Sequence, residues 1–325
     1  MSLPHANIVF LDAATYGDVS LTHFTDLWEC TIYQTTRSNE TTQRLAGHTI
    51  VVTNKVEIDE LILRSPEARD LKLIAVAATG TDIIDRKAAS ARGVRVCNVP
   101  GYATESVAQF TISLILELTT RAAKYGDAVR RGQWEKSPVF ALLSYPTVEL
   151  KGKKLGIVGY GNIGRRVAEI ARGFGMEILI AERPASHASV INDRVPIDDL
   201  FRRADVVSLH CPLTPETRNL INRRSLSLMK PTAFLINTAR GALIDEAALV
   251  DALGKHLIGA AALDVISTEP PSSDHPIIRA AKILDNLIVT PHTAWSAREA
   301  RERLLEEVKE NIAAFLRGEP RNLVA

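Results

Sequence analysis

The chain has 325 residues, 46% of them hydrophobic and 24% charged, with a formal net charge of +1. That length suits about two domains with sizeable cores. The near-neutral charge, lacking any Lys/Arg block, argues against a nucleic-acid or membrane-surface binder, and the scattered aromatics offer no stacking platform.

Cys30, Cys97 and Cys211 are odd in number and far apart, so disulfides are not expected and a reducing cytosol is the natural compartment. Zinc-ligand spacings are absent, so no metal is expected. The N-terminus lacks the basic and long apolar regions of a signal peptide. No uninterrupted apolar run is long enough to span a bilayer, and even Val107 to Leu118 is broken by Gln109 and Glu117.

From the start to about residue 100, short apolar runs alternate with helix-like segments. Ile8–Leu11, Thr49–Thr53, Leu73–Ala77 and Val94–Cys97 read as strands, and Val56–Leu63 and Asp85–Arg92 as helices. This is an α/β pattern with a mainly parallel sheet. Ala77 to Asp82 is a Gly/Thr turn directly after a strand; its backbone N–H groups could hold an anion, or it could be an ordinary strand-to-helix turn. Asn98-Val99-Pro100-Gly101 is turn chemistry and a candidate hinge.

A helix-like run follows from Thr104 to about Arg131, ended by Gly132-Gln133-Trp134. Residues 135 to 152 show no clear period, and Trp134, Phe140, Leu142, Leu143 and Tyr145 make an apolar irregular arm, either a packed loop or a subunit contact.

Leu155 to Glu182 is the most informative stretch. The apolar run Leu155–Val158 suits a buried strand, and Gly159, Gly161 and Gly164 follow as G-x-G-x-x-G. From Asn162 the period becomes helical, with Ile163, Val167, Ile170 and Ala171 on one face and Arg165, Arg166 and Glu169 off it. A second run, Ile178–Ala181, ends at Glu182. Gly159 permits the tight turn, Gly161 lets a pyrophosphate approach the backbone, and Gly164 lets the helix pack on the sheet. The helix N-terminus favours phosphate, and Glu182 can accept hydrogen bonds from a ribose diol. Strand, turn, helix, strand and acid in that order predict dinucleotide binding.

Four more strand-like runs follow: Val206–Leu209, Ala233–Asn237, Ala260–Val265 and Leu287–Thr290, the early ones separated by helical runs Ile197–Arg203, Arg224–Met229 and Glu246–Lys255. The stretch of about 150–290 reads as a doubly wound sheet whose ligands gather at the carboxyl ends of the strands. Those ends carry His210, Thr238 to Gly241, Asp264 to Glu269, and His292. The last segment, Ala297 to Arg317, is an amphipathic helix with Leu304, Leu305, Val308, Ile312 and Phe315 as its stripe. It is expected to return to the first domain, so that the chain crosses twice and leaves a cleft between domains.

Arg240, Glu269 and His292 stand out together. Hydride transfer to a carbonyl needs a cation to orient the substrate and a proton donor beside its oxygen. The planar guanidinium fork grips a carboxylate. An imidazole, titrating at about 6.5 when unperturbed, moves the proton. A carboxylate on the far ring nitrogen fixes the tautomer. Each residue has an ordinary structural alternative, as a surface charge, a turn acid and a strand cap. Their joint placement at strand ends after a dinucleotide motif favours chemistry.

These motifs resemble the D-isomer-specific 2-hydroxyacid dehydrogenase family over essentially the whole chain. The stretches that carry the resemblance are Gly159-Tyr160-Gly161-Asn162-Ile163-Gly164, His210-Cys211-Pro212-Leu213, Met229-Lys230-Pro231 through Asn237-Thr238-Ala239-Arg240-Gly241, Ala261 to Val265 with Glu269-Pro270, and Pro291-His292. Asn54-Lys55-Val56, Cys97-Asn98-Val99-Pro100 and Pro291 to Trp295 bring it nearest the hydroxypyruvate reductase, or glycerate dehydrogenase, branch.

The resemblance implies two doubly wound domains. A flavodoxin-like substrate domain would take residues of about 1–100 and 292–325, and a Rossmann NAD-binding domain about 101–291, with no further regulatory domain. It implies an NAD-dependent oxidoreductase of small 2-keto and D-2-hydroxy acids, with hydroxypyruvate or glyoxylate as substrate. Arg240 would bind the substrate carboxylate and carbonyl, His292 would be the acid/base, and Glu269 would support it. Thr79, Gly80 and Asn98 would touch the substrate. Asp264 would hold the nicotinamide carboxamide. Thr104, Asn162, Ile163, His210, Cys211, Pro212, Thr238, Ala239 and His292 complete the expected cofactor set, with Gly159, Gly161 and Glu182. The arm at about 119–148 resembles the family's dimerisation segment and implies a homodimer. Glu269 departs from the Gln that formate dehydrogenases of the family carry, which speaks against that branch. Phosphite dehydrogenase and a dinucleotide-sensing corepressor share the fold and stand as alternatives. Arg183, next to Glu182, is the residue type that 2′-phosphate-binding relatives use; it is expected to turn to solvent or lie over the adenine.

Overall fold

The structure is a computed structural model and describes residues 6–182 and 194–325. Arg183 lies outside the described residues. The chain divides into two compact units, Met1–Ala103 with Ser296–Ala325, and Thr104–Trp295.

The first unit is built on β1 (Asn7–Phe10), β2 (Glu29–Ile32), β3 (Ile50–Thr53), β4 (Leu73–Val76) and β5 (Arg95–Cys97). They form one sheet in the order β2-β1-β3-β4-β5, with every pairing parallel. This is the flavodoxin order. The central strands β3 (IVVT) and β4 (LIAV) are buried at every residue, as strands covered on both faces must be. The edge strand β2 (ECTI) is only half-buried, so it lacks the apolar run that betrays its neighbours. The helix Arg298–Leu316 lies against β4 and buries Leu304, Leu305, Val308 and Ile312. Beyond it, Val96 donates to the Ala325 carbonyl at 2.9 Å and Val324 to the Val96 carbonyl at 2.8 Å, so the tail runs along β5.

The second unit holds β6 (Lys154–Val158), β7 (Glu177–Ala181), β8 (Arg194–Val195), β9 (Val206–Leu209), β10 (Phe234–Asn237), β11 (Ala260–Leu263) and β12 (Leu287–Val289). Among the described residues they form a parallel sheet in the order β12-β11-β10-β9-β6-β7-β8. The strand order reverses between β6 and β9, which makes this a Rossmann-type sheet with its crevice at the ends of those two strands. Helices Thr104–Thr120 and Asn162–Gly173 pack together, and Ile112, Ile115, Val167 and Ala171 share a core with Leu155 and Ile157 of β6.

The long helix expected from Thr104 to about Arg131 is broken. Arg121 has φ 57°, and a second helix, Ala122–Arg130, begins after it. The sequence holds no Gly or Pro there, so the break carries no local signal. The arm that follows exposes Phe140 at 93% and Leu143 at 84%. It is tied back by Tyr125, whose hydroxyl donates to the Tyr145 carbonyl at 2.8 Å, and by Val148, which donates to the Thr119 carbonyl at 2.9 Å. No helix among the described residues is long and apolar enough to cross a membrane.

Candidate active site

The β6 turn sits at the crevice where strand order reverses. Gly159 has φ 99°, and a β-carbon there would lie 2.5 Å from the His210 carbonyl and from the Cys211 nitrogen. Only glycine fits both the conformation and the approach. A β-carbon on Gly164 would lie 2.2 Å from the Gly159 carbonyl oxygen, so the helix Asn162–Gly173 can start this close to the strand only with glycine. Gly161 differs: a β-carbon there meets nothing within 4 Å. No side chain caps the helix that Gly161 precedes, and Asn162 and Ile163 form its first turn. Room over Gly161 beside an uncapped helix N-terminus is what a pyrophosphate requires, so the residues fit a dinucleotide. Glu182 follows β7 and is exposed, its N–H donating to the Val195 carbonyl at 3.0 Å.

Across the crevice, His210 donates its N–H to the Val158 carbonyl at 2.7 Å, and its Nε2 lies 2.9 Å from Ser208 Oγ. Burial pushes its imidazole down to about 4, so the ring is neutral at ordinary pH. Burial pushes the neighbouring Cys211 thiol up to about 11, which keeps it protonated. The Pro212 carbonyl accepts the Thr217 hydroxyl at 2.8 Å, closing the turn.

After β10, the fully buried Asn237 organises the next turn. Its Oδ1 accepts the Ala239 N–H at 3.0 Å and its Nδ2 donates to the Arg240 carbonyl at 2.9 Å. Thr238 Oγ1 lies 3.0 Å from Thr111 Oγ1 on the long helix. Arg240 donates Nη1 to the Ala239 carbonyl at 2.8 Å. Gly241 is pressed against the loop after β11: a β-carbon there would lie 1.9 Å from the Ile266 carbonyl carbon. The arginine turn and the glutamate loop therefore share one backbone contact.

Glu269 and His292, 23 residues apart, meet. Glu269 Oε2 lies 2.5 Å from His292 Nδ1, and Oε1 accepts the Ile266 N–H at 3.0 Å. The two side chains are 30% and 25% exposed, so the pair is reachable but partly shielded. A carboxylate on Nδ1 leaves Nε2 as the ring atom available for proton transfer. Asp264, 1% exposed, accepts from the Thr290 hydroxyl at 2.6 Å and from the N–H groups of Thr293 at 2.9 Å and Ala294 at 2.8 Å. Thr104 begins the long helix, and Ser106, two residues on, donates its hydroxyl to the Ala294 carbonyl at 2.7 Å.

In the first unit, the Thr79 hydroxyl donates to the Val99 carbonyl at 2.8 Å, and Asn98 Nδ2 donates to the Thr79 carbonyl at 2.7 Å. The Thr79-Gly80 turn and the Asn98 turn are thus one bonded piece. Asn311, 1% exposed on the last helix, donates in turn to the Asn98 carbonyl at 2.9 Å.

Sequence reasoning overlooked Thr111, Asn237 and Thr290, the inner partners of Thr238, Ala239 and Asp264. Asn237 and Thr290 close apolar runs just before expected site residues, which is the signal they offered. Thr111 is simply a polar residue within a helical stripe.

The pattern of the family described as D-isomer specific 2-hydroxyacid dehydrogenase, NAD binding domain, matches residues 112–294. The chain is 40% identical over 318 residues to the glycerate dehydrogenase of Methylorubrum extorquens, covering 98% of each. It is 37% identical over 314 residues to the hydroxypyruvate reductase of Blautia hydrogenotrophica, covering 95% of each. Among solved structures, it is similar to the TT0316 protein of Thermus thermophilus with a TM-score of 0.85 and 35% identity, over 98% of this chain and 100% of that one. With its glycine turn, its parallel sheet and its Glu–His pair, the chain belongs to the D-isomer-specific 2-hydroxyacid dehydrogenase family and is an oxidoreductase that uses a nicotinamide dinucleotide.

Proposed function

We propose that the chain interconverts a small 2-keto acid and its D-2-hydroxy acid with NADH, with hydroxypyruvate and D-glycerate as the first pair and glyoxylate and glycolate as the second. The observation that carries the reading is the Glu269–His292 pair, held at the strand ends that also present Arg240. The names of the two relatives above support the first pair.

Arg240 grips the substrate carboxylate, because its fork makes two parallel hydrogen bonds where an ammonium makes one. Thr79, Gly80 and Asn98 are the first unit's substrate-binding residues. The dinucleotide, when bound, supplies hydride from C4 of its nicotinamide. His292 gives a proton from Nε2 to the carbonyl oxygen, and Glu269 on Nδ1 stabilises the ring while it is charged. Gly159, Gly161, Asn162 and Ile163 cradle the pyrophosphate, and Glu182 takes the ribose diol. Neutral His210, with Cys211, Pro212, Thr238, Ala239, Asp264 and Thr104, lines the rest of the cofactor path.

NADH absorbance followed with hydroxypyruvate, glyoxylate, pyruvate and, in the reverse direction with NAD, phosphite tests the reading. Rapid oxidation of NADH by hydroxypyruvate, lost in His292→Gln while NADH binding persists, is expected. Turnover with phosphite alone, or a His292→Gln variant as fast as the parent, overturns it. The enzyme acts in the cytoplasm as a homodimer joined through the arm at about 119–148, whose Trp134, Phe140 and Leu143 are exposed. A monomer mass by light scattering at micromolar concentration counts against the dimer.

A further inference from the structure

One largely shielded carboxylate takes no part in the chemistry above. Glu246 opens the helix Glu246–Gly254, and its Oε1 accepts the Ser267 N–H at 2.7 Å while Oε2 accepts the Ser267 hydroxyl at 2.8 Å. His275, at the start of the helix Pro276–Ala281, brings Nε2 to 3.3 Å from the same Oε2 and to 3.4 Å from Ser267 Oγ. The side chains of His275 and Glu246 are 9% and 12% exposed. A carboxylate this shielded is costly unless its oxygens are filled, and here they are filled from three sides. Nδ1 of His275 has no partner among the described residues, so the ring's polar contacts all lie within this cluster.

The grip falls on the loop that presents Glu269. The Ile266 N–H is taken by Glu269 Oε1 at 3.0 Å, and the next N–H, that of Ser267, by Glu246 Oε1. Two carboxylates hold successive amides of one peptide segment, and Gly241 backs the same segment from behind. With Ile266 fixed, Glu269 keeps one oxygen on the loop and the other on His292 Nδ1. Without Glu246 the Ser267 amide loses its acceptor, and the segment that Glu269 holds keeps only the Gly241 contact and the Ile266 bond to restrain it.

We propose that Glu246 is a positioning residue for the Glu269–His292 pair, acting through Ser267 with His275 as its brace. The inference rests on the catalytic reading of Glu269 and His292. Small misplacements of a reacting group lower rates steeply, up to about a hundredfold per ångström, so a loosened Glu269 costs kcat rather than cofactor affinity.

A double-mutant cycle on the whole enzyme, with hydroxypyruvate and NADH, tests it. Glu246→Ala is expected to lower kcat about tenfold while the KM for NADH stays put. Glu246→Gln, which keeps an acceptor for the Ser267 N–H, is expected to retain most of kcat. Glu269→Ala is expected to leave about one-hundredth of kcat. On that background Glu246→Ala is expected to cost nothing more, because residues that act through one another are not additive. A full further tenfold loss in the double variant overturns the proposal and makes Glu246 a general brace. So does an unchanged kcat in Glu246→Ala. An unchanged kcat in Glu269→Ala instead overturns the catalytic reading itself, and the two failures are read from different single variants. If Glu246→Ala does not fold, Glu246→Asp, whose shorter side chain withdraws the acceptor from the Ser267 N–H, replaces it; a loss of kcat that vanishes on the Glu269→Ala background is expected, and one that persists overturns the proposal.

Discussion

Asp264 holds His292 and its neighbours at once: its carbonyl accepts the His292 N–H at 2.8 Å, and its carboxylate accepts the N–H groups of Thr293 and Ala294. His292 has φ 54°, in the left-handed region that a residue with a side chain visits at a cost of about 1–3 kcal/mol. Such a conformation persists only where its surroundings over-determine it, and Asp264 supplies that constraint. Asp264→Asn puts an amide NH2 where an N–H needs an acceptor. We expect a loss of about 1–3 kcal/mol in urea unfolding and a lower kcat. An unchanged unfolding midpoint would show that the backbone turn needs no acceptor from Asp264.

The glycines of the nucleotide turn separate folding from binding. Gly161→Ala meets no protein atom within 4 Å, so thermal stability should stay within about 0.5 kcal/mol while NADH affinity falls tenfold or more. Gly164→Ala drives a methyl onto the Gly159 carbonyl, so it should lose about 1–3 kcal/mol whether or not NADH is present. Calorimetry with and without NADH checks both. An NADH affinity unchanged in Gly161→Ala would rule out the assignment of Gly161 to the pyrophosphate.

His210 makes stability depend on pH. Its folded value of about 4 lies below the unfolded value of about 6.5. Between those values the unfolded chain binds the extra proton, so stability is full above about pH 6.5 and falls as pH drops toward about 4. The whole difference is about 3 kcal/mol. Thermal unfolding of the cofactor-free protein should therefore fall less steeply with acid in His210→Gln than in the parent. Parallel curves for the two proteins would mean that His210 titrates normally.

Glu182 should set the choice between dinucleotides. An exposed carboxylate after β7 can receive both ribose hydroxyls of NADH and repels a 2′-phosphate. The expected preference is about 2 kcal/mol in kcat/KM, somewhat more than tenfold. Glu182→Ala should narrow the gap by weakening NADH. Steady-state kinetics with both cofactors on one keto acid decide it, and equal efficiency with NADPH would sink the assignment.

The sheets were legible because their central strands are short apolar runs, which burial on both faces explains. The half-exposed edge strand Glu29–Ile32 and the two-residue Arg194–Val195 gave no such run and went unread. The break at Arg121 was invisible because the helical period continues on both sides of it. In the site, the dinucleotide turn was legible because its parts are contiguous. Glu269 and His292 were singled out by their chemistry, and their contact is a product of the fold. Glu246, Ser267 and His275 were not, because each alone is an ordinary residue and only the packing of two helix starts against one loop joins them.

The last helix, which lies against β4, is separated in sequence from the rest of its own unit by the roughly 190 residues of the second unit. A ribosome adding about 5–20 residues per second takes roughly 10–40 s to cross that interval. Through that time the nascent first unit carries a sheet whose covering helix does not yet exist, while the second unit, contiguous in sequence, can close on its own. The domain begun first is finished last, so its uncovered apolar face is where a chaperone would be needed during synthesis.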